Sequence, residues 1–423
     1  MDIERIELSN WQQFGSVSID FDSRATVITG ANGCGKTTLL SLLARHTGIS
    51  PASLATPKFS PILSDETHNV FYDPAIPSSH IFHPLQPVTR HIGKIYYSDG
   101  TFASLSIPAT NNPLYHVNFS TMREIDILYI PSHRQLFNYK RTPNLLTQKM
   151  ERKAVFSEYK NATDSLYTGH HYGEPVSFLM KNALLSWAIN GYGVTDNNSN
   201  TIMQADVSQA ENFEGFRNVL KTLLPESLGF ENLSIRDYEI IFSCNNGRDE
   251  FLLENASGGI AALIDIAWRI FNFNVSSDHP FFVMIDEAEN HLHPSMQRSL
   301  LPKLLTAFPH IKFIITTHSP LIVTSIEDAS IYVLKHNSQQ KIESLKLNAS
   351  KEVCNIIEIL DQILGVSTTI PIWASKKFNS ILEQHLSKDI TKDSISALRS
   401  ELETAGLSRL FPNAIGTIAE SRE

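Results

Sequence analysis

The stretch Gly30-Ala31-Asn32-Gly33-Cys34-Gly35-Lys36-Thr37 constrains this chain more than any other part of it. It fits G-x-x-x-x-G-K-[ST], a loop whose glycines let the backbone curl so that successive N–H groups point at phosphate oxygens. Its setting agrees. Ile3, Ile6 and Leu8, then Val17, Ile19 and Phe21, alternate with polar residues as strands do, and the apolar pair Val27-Ile28 leads into the loop. After Lys36, the spacing of Leu39, Leu40, Leu42 and Leu43 is that of a helix. A strand, a Gly-rich loop and a helix in that order put the positive end of a helix behind a bound phosphate. Asn32, Gly33, Cys34, Gly35, Lys36, Thr37 and Thr38 are therefore the expected nucleotide-binding residues. Lys36 would supply a point charge to the β and γ phosphates, and Thr37 a hydroxyl to Mg²⁺.

Three further segments carry chemistry. Phe281-Phe282-Val283-Met284-Ile285 reads as a strand buried on both faces, and it delivers Asp286 and Glu287 at its C-terminal end. Ligands of open α/β sheets bind at that end. Adjacent carboxylates there can divide the work, Asp286 holding the Mg²⁺ shell while Glu287 polarises an attacking water. Phe313-Ile314-Ile315-Thr316-Thr317 is a second such strand, and it brings His318 to the same edge, within reach of a γ phosphate or the water. Ser257-Gly258-Gly259, followed by an apolar helix from about Ile260 to Phe273, is a second helix start suited to an anion. His291-Leu292-His293 has the look of a metal site, but it lies beside carboxylates already in use. His170-His171 falls in a loop-rich stretch and reads as solvated. Trp11 or Phe14 could stack on adenine, with core packing as the plainer reading.

A chain of 423 residues is too long for one small core. The expected head comprises 1–135 and 236–340, with a proline-rich part at 47–125 that includes a hairpin turning at Asp99-Gly100. A mainly helical insertion is expected at 136–235, with charged helical stretches around 143–160, a polar loop at Thr195–Asn200 and a helix at Phe213–Leu224. A helical C-terminal region is expected at 341–423, where Ile356, Ile357, Ile359, Leu360, Ile363 and Leu364 have helical spacing. The formal charge of −9, from 35 basic and 44 acidic residues, gives no support for nucleic-acid binding. The three cysteines are far apart, which argues against disulfides and a zinc knuckle. The start resembles no signal peptide and no apolar run is long enough to span a membrane, so a cytoplasmic location is expected.

Taken together, the four segments resemble the ABC-ATPase head. More closely, they resemble the prokaryotic subgroup that includes the OLD-type ATPases and the ATPase subunits of phage-defence systems such as Septu and PARIS. D-E-A-E-N-H-L-H-P at 286–294 and T-T-H-S-P at 316–320 carry that closer likeness. The resemblance implies an α/β P-loop NTPase with a mixed sheet flanked by helices, using Mg²⁺ with ATP as substrate. It implies that Ser257-Gly258-Gly259 is a signature motif acting across a head-to-tail homodimer, and that His318 is the switch histidine. Gln135 is the candidate Q-loop residue, with Arg134 as the alternative phosphate contact. A separate effector such as a nuclease or toxin is the implied output, and anti-phage defence the setting. Ala256 and Ile260 depart from the Leu and Gln often found in transporter ATPases, and His293 stands where those proteins have an Asp. A RecF- or SMC-like DNA-repair ATPase is the alternative, although no heptad array exists. An OLD-type nuclease is disfavoured, because the roughly one hundred residues after His318 hold no Asp-x-Asp pair.

Overall fold

The computed structural model describes residues 1–48, short pieces between 52 and 71, 89–108, 114–144, 148–167, 173–198, 200–273, 281–347, 372–386 and most of 392–418. They cluster into two units, Met1–Glu358 and Ile359–Glu423.

The first unit is organised by one eleven-stranded sheet. Its first strands are β1 (Ile3–Trp11), β2 (Phe14–Asp20) and β3 (Ala25–Gly30), followed by β4 (Thr89–Tyr97), β5 (Phe102–Pro108), β6 (Asn118–Ser120) and β7 (Ile127–Ile130). A separate three-stranded antiparallel sheet follows, of β8 (Phe230–Arg236), β9 (Glu239–Cys244) and β10 (Asp249–Leu252). The main sheet resumes with β11 (Phe282–Ile285), β12 (Lys312–Thr317), β13 (Ser330–His336) and β14 (Ile342–Leu347). In space the main sheet runs β6-β5-β4-β1-β2-β14-β13-β3-β12-β11-β7.

The two halves of that sheet differ in kind. From β6 to β2 every pairing is antiparallel. The β4–β5 hairpin turns at Asp99-Gly100, where Gly100 has φ 77° and the Asp99 carboxylate accepts from the Thr101 N–H. From β13 to β7 every pairing is parallel. β14 joins the halves, antiparallel to β13 and parallel to β2. β3 and β11 are buried at every residue; β11 reads as an unbroken apolar run in the sequence, while β3 buries Thr26 and Thr29 beside its apolar residues. Because β3, β12 and β11 are parallel neighbours, Gly30, Thr317 and Ile285 all end at one edge.

Helix α1 (Lys36–Leu43) packs its leucines into the core formed with Ile3, Ile6, Trp11 and Phe14. Four longer helices, α2 (Arg152–Tyr167), α3 (Val176–Tyr192), α4 (Val207–Leu223) and α5 (Gly258–Phe273), form a layer of their own. Aromatic rings pin it: Trp187 of α3 lies 5.3 Å from Trp268 of α5, and Phe216 of α4 lies 4.8 Å from the same ring. The helices of the 136–235 stretch therefore pack on the helix that begins at the Ser-Gly-Gly motif. Helix α6 (Pro294–Ala307) lies between β11 and β12 in the chain.

Local details depart from the sequence reading. Helix was expected around 143–160 but begins only at Arg152. The chain just before it is held by α3, whose Ser186 Oγ and Trp187 Nε1 donate to the carbonyls of Gln148 and Met150. Carbonyls bonded this way are satisfied without a helix of their own. The polar loop at Thr195–Asn200 closes a two-stranded hairpin, with the Asp196 carboxylate accepting from the N–H groups of Asn198 and Asn200. The head's sheet continues beyond 340, through β14.

In the second unit, α7 (Ile372–Leu386) and α8 (Lys392–Thr404) share a small core of Leu382, Leu398, Leu402 and Leu407. The apolar positions from Ile356 to Leu364 lie outside the described residues.

Candidate functional site

The loop between β3 and α1 needs its glycines. Gly35 has φ 91°, and a Cβ there would come within 2.5 Å of the Phe14 ring. A Cβ at Gly30 would come within 2.4 Å of the Leu334 carbonyl on β13. No side chain larger than hydrogen fits either position. Asn32, Gly33 and Thr37 are exposed, Thr38 is half-buried, and Cys34 is buried against the underside of the loop. Burial pushes the Cys34 thiol up, with the Lys36 charge opposing. Lys36 is only 5% exposed and folds back over its own loop. Its Nζ donates to the carbonyls of Gly30 (3.0 Å) and Ala31 (3.2 Å) and lies 3.4 Å from His318 Nδ1.

At the same edge, β11 delivers its two acids in different directions. Asp286 is buried, and its Oδ1 accepts from Thr316 Oγ1 at 2.5 Å and Thr37 Oγ1 at 3.2 Å. Burial raises its carboxyl above the ordinary range, and the hydroxyl donors and Lys36 act against that. A buried carboxylate beside an exposed threonine hydroxyl is a donor set that suits Mg²⁺, which takes one or two protein oxygens and completes its shell with phosphate and water. Glu287 follows with φ 46°, a left-handed backbone that few non-glycine residues adopt. That sharp turn separates it from Asp286. Its N–H donates to Thr316 Oγ1 at 2.9 Å, and its Oε2 accepts from Asn290 Nδ2 at 2.8 Å.

Glu289 was missed in the sequence. Its Oε1 accepts from the His318 N–H (2.5 Å) and its Oε2 from Thr317 Oγ1 (2.7 Å), so it fixes the end of β12. The second acid of D-E-A-E was the available signal. His318 is half-buried. Burial first, then the nearby Lys36 charge, lower its pKa, and Glu289 and Glu287 pull the other way. Its ring is therefore neutral near pH 7. A cavity of about 700 Å³ opens beside Thr37 and Asp286, walled by β7, by Tyr159 and Lys160 of α2 and by Arg269 of α5.

Other sequence candidates lie elsewhere. Ser257 and Gly258 are exposed at the start of α5, where the Ser257 carbonyl accepts from the Ala261 N–H. Gly259 packs near the turn after Glu287, since a Cβ there would lie 3.1 Å from the His291 carbonyl. Among the described residues no hydrogen bond or ion pair joins Ser257 to the loop at 30–37. Gln135 is half-buried, and among the described residues its Nε2 has no hydrogen-bond partner. Arg134 is buried, and its Nη1 donates to the Asn290 carbonyl at 2.7 Å. His293 caps α6 through Ser295, and among the described residues no group of three metal-ligating side chains is found. Trp11 and Phe14 are both buried and stack on each other at 5.9 Å, so both are packing residues. His170-His171 lies outside the described residues. Among the described residues no helix is long and apolar enough to cross a membrane.

Sheet, loop and paired acids define the class first: a P-loop ATPase fold, a large mixed sheet flanked by helices. Comparison with known proteins narrows it. A family model described as an AAA domain matches residues 5–47, and one described as "AAA domain, putative AbiEii toxin, Type IV TA system" matches 170–324. "Retron Ec83 probable ATPase" of Escherichia coli is 33% identical over 167 residues, 37% of this chain and 29% of that protein. "Septu protein PtuA" of Bacillus mycoides is 31% identical over 175 residues, 38% of this chain and 23% of that protein. The matched stretches thus span less than a third of either relative. An SMC head domain from Thermotoga maritima aligns over 82% of this chain and 99% of its own, with 14% identity and a TM-score of 0.41. The chain carries AAA-family ATPase domains and is homologous to the retron ATPases and to the Septu PtuA phage-defence proteins.

Proposed function

We propose that this chain hydrolyses Mg-ATP and uses the nucleotide state to open and close a head-to-tail homodimer. The observation that carries this reading is the convergence of Lys36, Thr37, Asp286, Glu287 and His318 at one edge of three adjacent parallel strands. Asp286 is bonded to Thr37, and Lys36 lies beside His318. ATP phosphates would take Lys36 from the carbonyls of Gly30 and Ala31 that it now occupies. Thr37 and Asp286 would hold the Mg²⁺, which neutralises phosphate charge. Glu287 would orient a water for attack on the γ phosphorus and accept its proton as the bond to the β–γ bridging oxygen breaks. His318, neutral and held by Glu289, would hydrogen-bond the γ phosphate.

Exposure of Ser257 supports its use in trans, since it meets no phosphate site in its own head. Helix α2 walls the cavity beside Thr37 and Asp286, and α5 carries Ser257 at its start. Closure around ATP would therefore move the helical layer. That movement is the signal we assign to a separate effector, with a nuclease or toxin as its class. Homology to Septu PtuA supports a place in anti-phage defence. The test is the mass of Glu287→Gln protein in solution with and without Mg-ATP. The expected change is from one chain of 47.4 kDa to twice that mass when nucleotide is added. A mass unaffected by Mg-ATP, with nucleotide binding shown, removes the dimer switch.

A further inference from the structure

We infer that Asn290 is a positioning residue for Glu287, and that it ties the Glu287 carboxylate to the backbone at Ser132. The inference rests on Glu287 being the group that orients the attacking water. Asn290 lies three residues after Glu287, and its own N–H donates to the Glu287 carbonyl at 3.0 Å, so the chain folds back on itself. That turn brings the Asn290 amide against the acid. Nδ2 lies 2.8 Å from Glu287 Oε2 and 3.2 Å from the Ser132 carbonyl. An sp² amide carries two N–H groups, and here one is directed to each acceptor. The Asn290 carbonyl in turn accepts from Arg134 Nη1 at 2.7 Å. Asn290 is thus held on both its side chain and its backbone by the segment 132–134.

The chemistry narrows the residue type. Glu287 is half-buried and sits on a left-handed backbone position, and Asn290 Nδ2 is the donor bonded to its carboxylate. A carboxylate that must aim at a water gains from one donor that sets its orientation. Asp at 290 has the same shape and no N–H. Alanine has neither donor nor bulk. The segment that holds Asn290 also leads to the helical layer, because Asn138 exchanges hydrogen bonds with Ser177 at the start of α3. Asn290 therefore joins the base to the stretch of chain that enters the helices.

The experiment compares Asn290→Asp, Asn290→Ala and Asn290→Gln with Glu287→Gln, measuring Mg-ATP turnover and affinity for a slowly hydrolysed ATP analogue. Asn290→Ala is expected to lower kcat about tenfold with analogue affinity within about twofold of the parent. Asn290→Asp is expected to be worse than alanine despite its closer shape, because it sets a second negative charge against Glu287. Asn290→Gln keeps both N–H groups and is expected to turn over faster than either. A purely space-filling role gives the opposite order, with aspartate above alanine, and overturns the inference. So does turnover of Asn290→Asp within about twofold of the parent. Equal loss of affinity and kcat in all three variants also overturns it, since that marks a folding defect. Parental turnover in Glu287→Gln would instead remove the assignment of Glu287 itself, and the inference with it.

Discussion

The molecule has two glycine-rich helix starts, at 30–37 and at Ser257-Gly258-Gly259, and their surroundings are opposites. The loop at 30–37 lies against the sheet: Lys36 and Cys34 are buried, Phe14 presses on Gly35, and Thr37 meets an acid. At the start of α5, Ser257 and Gly258 are exposed, with no lysine, base or metal-binding acid bonded to them among the described residues. Both sequences promise N–H groups and a helix dipole. Only the first is surrounded by groups that can bind, coordinate and hydrolyse. A helix N-terminus is therefore half a site, and in our reading a second copy brings Ser257 to the nucleotide.

The largest break in that contrast comes from Glu287→Gln. Turnover should fall on the order of 10²-fold or more while ATP is still bound, because the amide cannot accept the water's proton. Steady-state phosphate release is the measurement, and a rate near the parent's would remove the catalytic half of the first site. Lys36→Ala should weaken binding itself, by roughly 10- to 100-fold, the value of a charge-assisted contact to phosphate. A titration with a slowly hydrolysed analogue reads this, and unchanged affinity would place the phosphates elsewhere.

Mixing sharpens the comparison. Ser257→Arg protein and Lys36→Ala protein should each be inactive, yet their mixture should recover roughly a quarter of the parental rate, since half the dimers are mixed and each mixed dimer holds one intact site. If mixed dimers form and stay inactive, both helix starts serve one chain. A smaller effect concerns stability. Asp286→Asn removes a buried carboxyl whose pKa is raised by desolvation, so the nucleotide-free protein should melt higher, by about 1–2 °C, while turnover is lost. A lower melting temperature would mean that the bonds from Thr316 and Thr37 outweigh desolvation.

The smallest effect is in pH. The pKa of His318 is lowered, so its imidazole binds a proton less readily folded than unfolded. The stability that depends on its neutral form is complete at neutral pH and is lost as pH falls below about 6.5, toward the folded value. His318→Gln should flatten that part of a stability-against-pH curve. An unchanged acid limb would assign it to other groups.

Much of the first site was legible because its residues are consecutive. Gly30–Thr37 and Asp286-Glu287 each lie within one loop or strand end, so local backbone geometry keeps their groups together. Apolar runs also announced β11 and β12, because strands buried on both faces need no polar alternation. Glu289 and Asn290 stood in the same motif, but nothing in the spacing says that one holds His318 and the other Glu287. Those partners are fixed by a turn and by the neighbouring strand.

The helical layer was the least legible part. The sequence gives α5 as an apolar helix, yet only packing brings Trp187, Phe216 and Trp268 together and so joins 136–235 to the helix that starts at Ser257. The buried Lys181 pairs with Glu239 and Glu254 across three elements, a choice made by burial, since an ammonium out of water must find carboxylates wherever the fold supplies them. The sequence by itself determined the phosphate loop, the acid pair and the alternation of strand and helix, because each depends on neighbours in the chain. Tertiary structure alone decided that three strand ends meet at one edge, that Trp11 and Phe14 are core, and that Ser257 stands apart from its own nucleotide loop. Those outcomes depend on residues far apart in sequence competing for the same buried space.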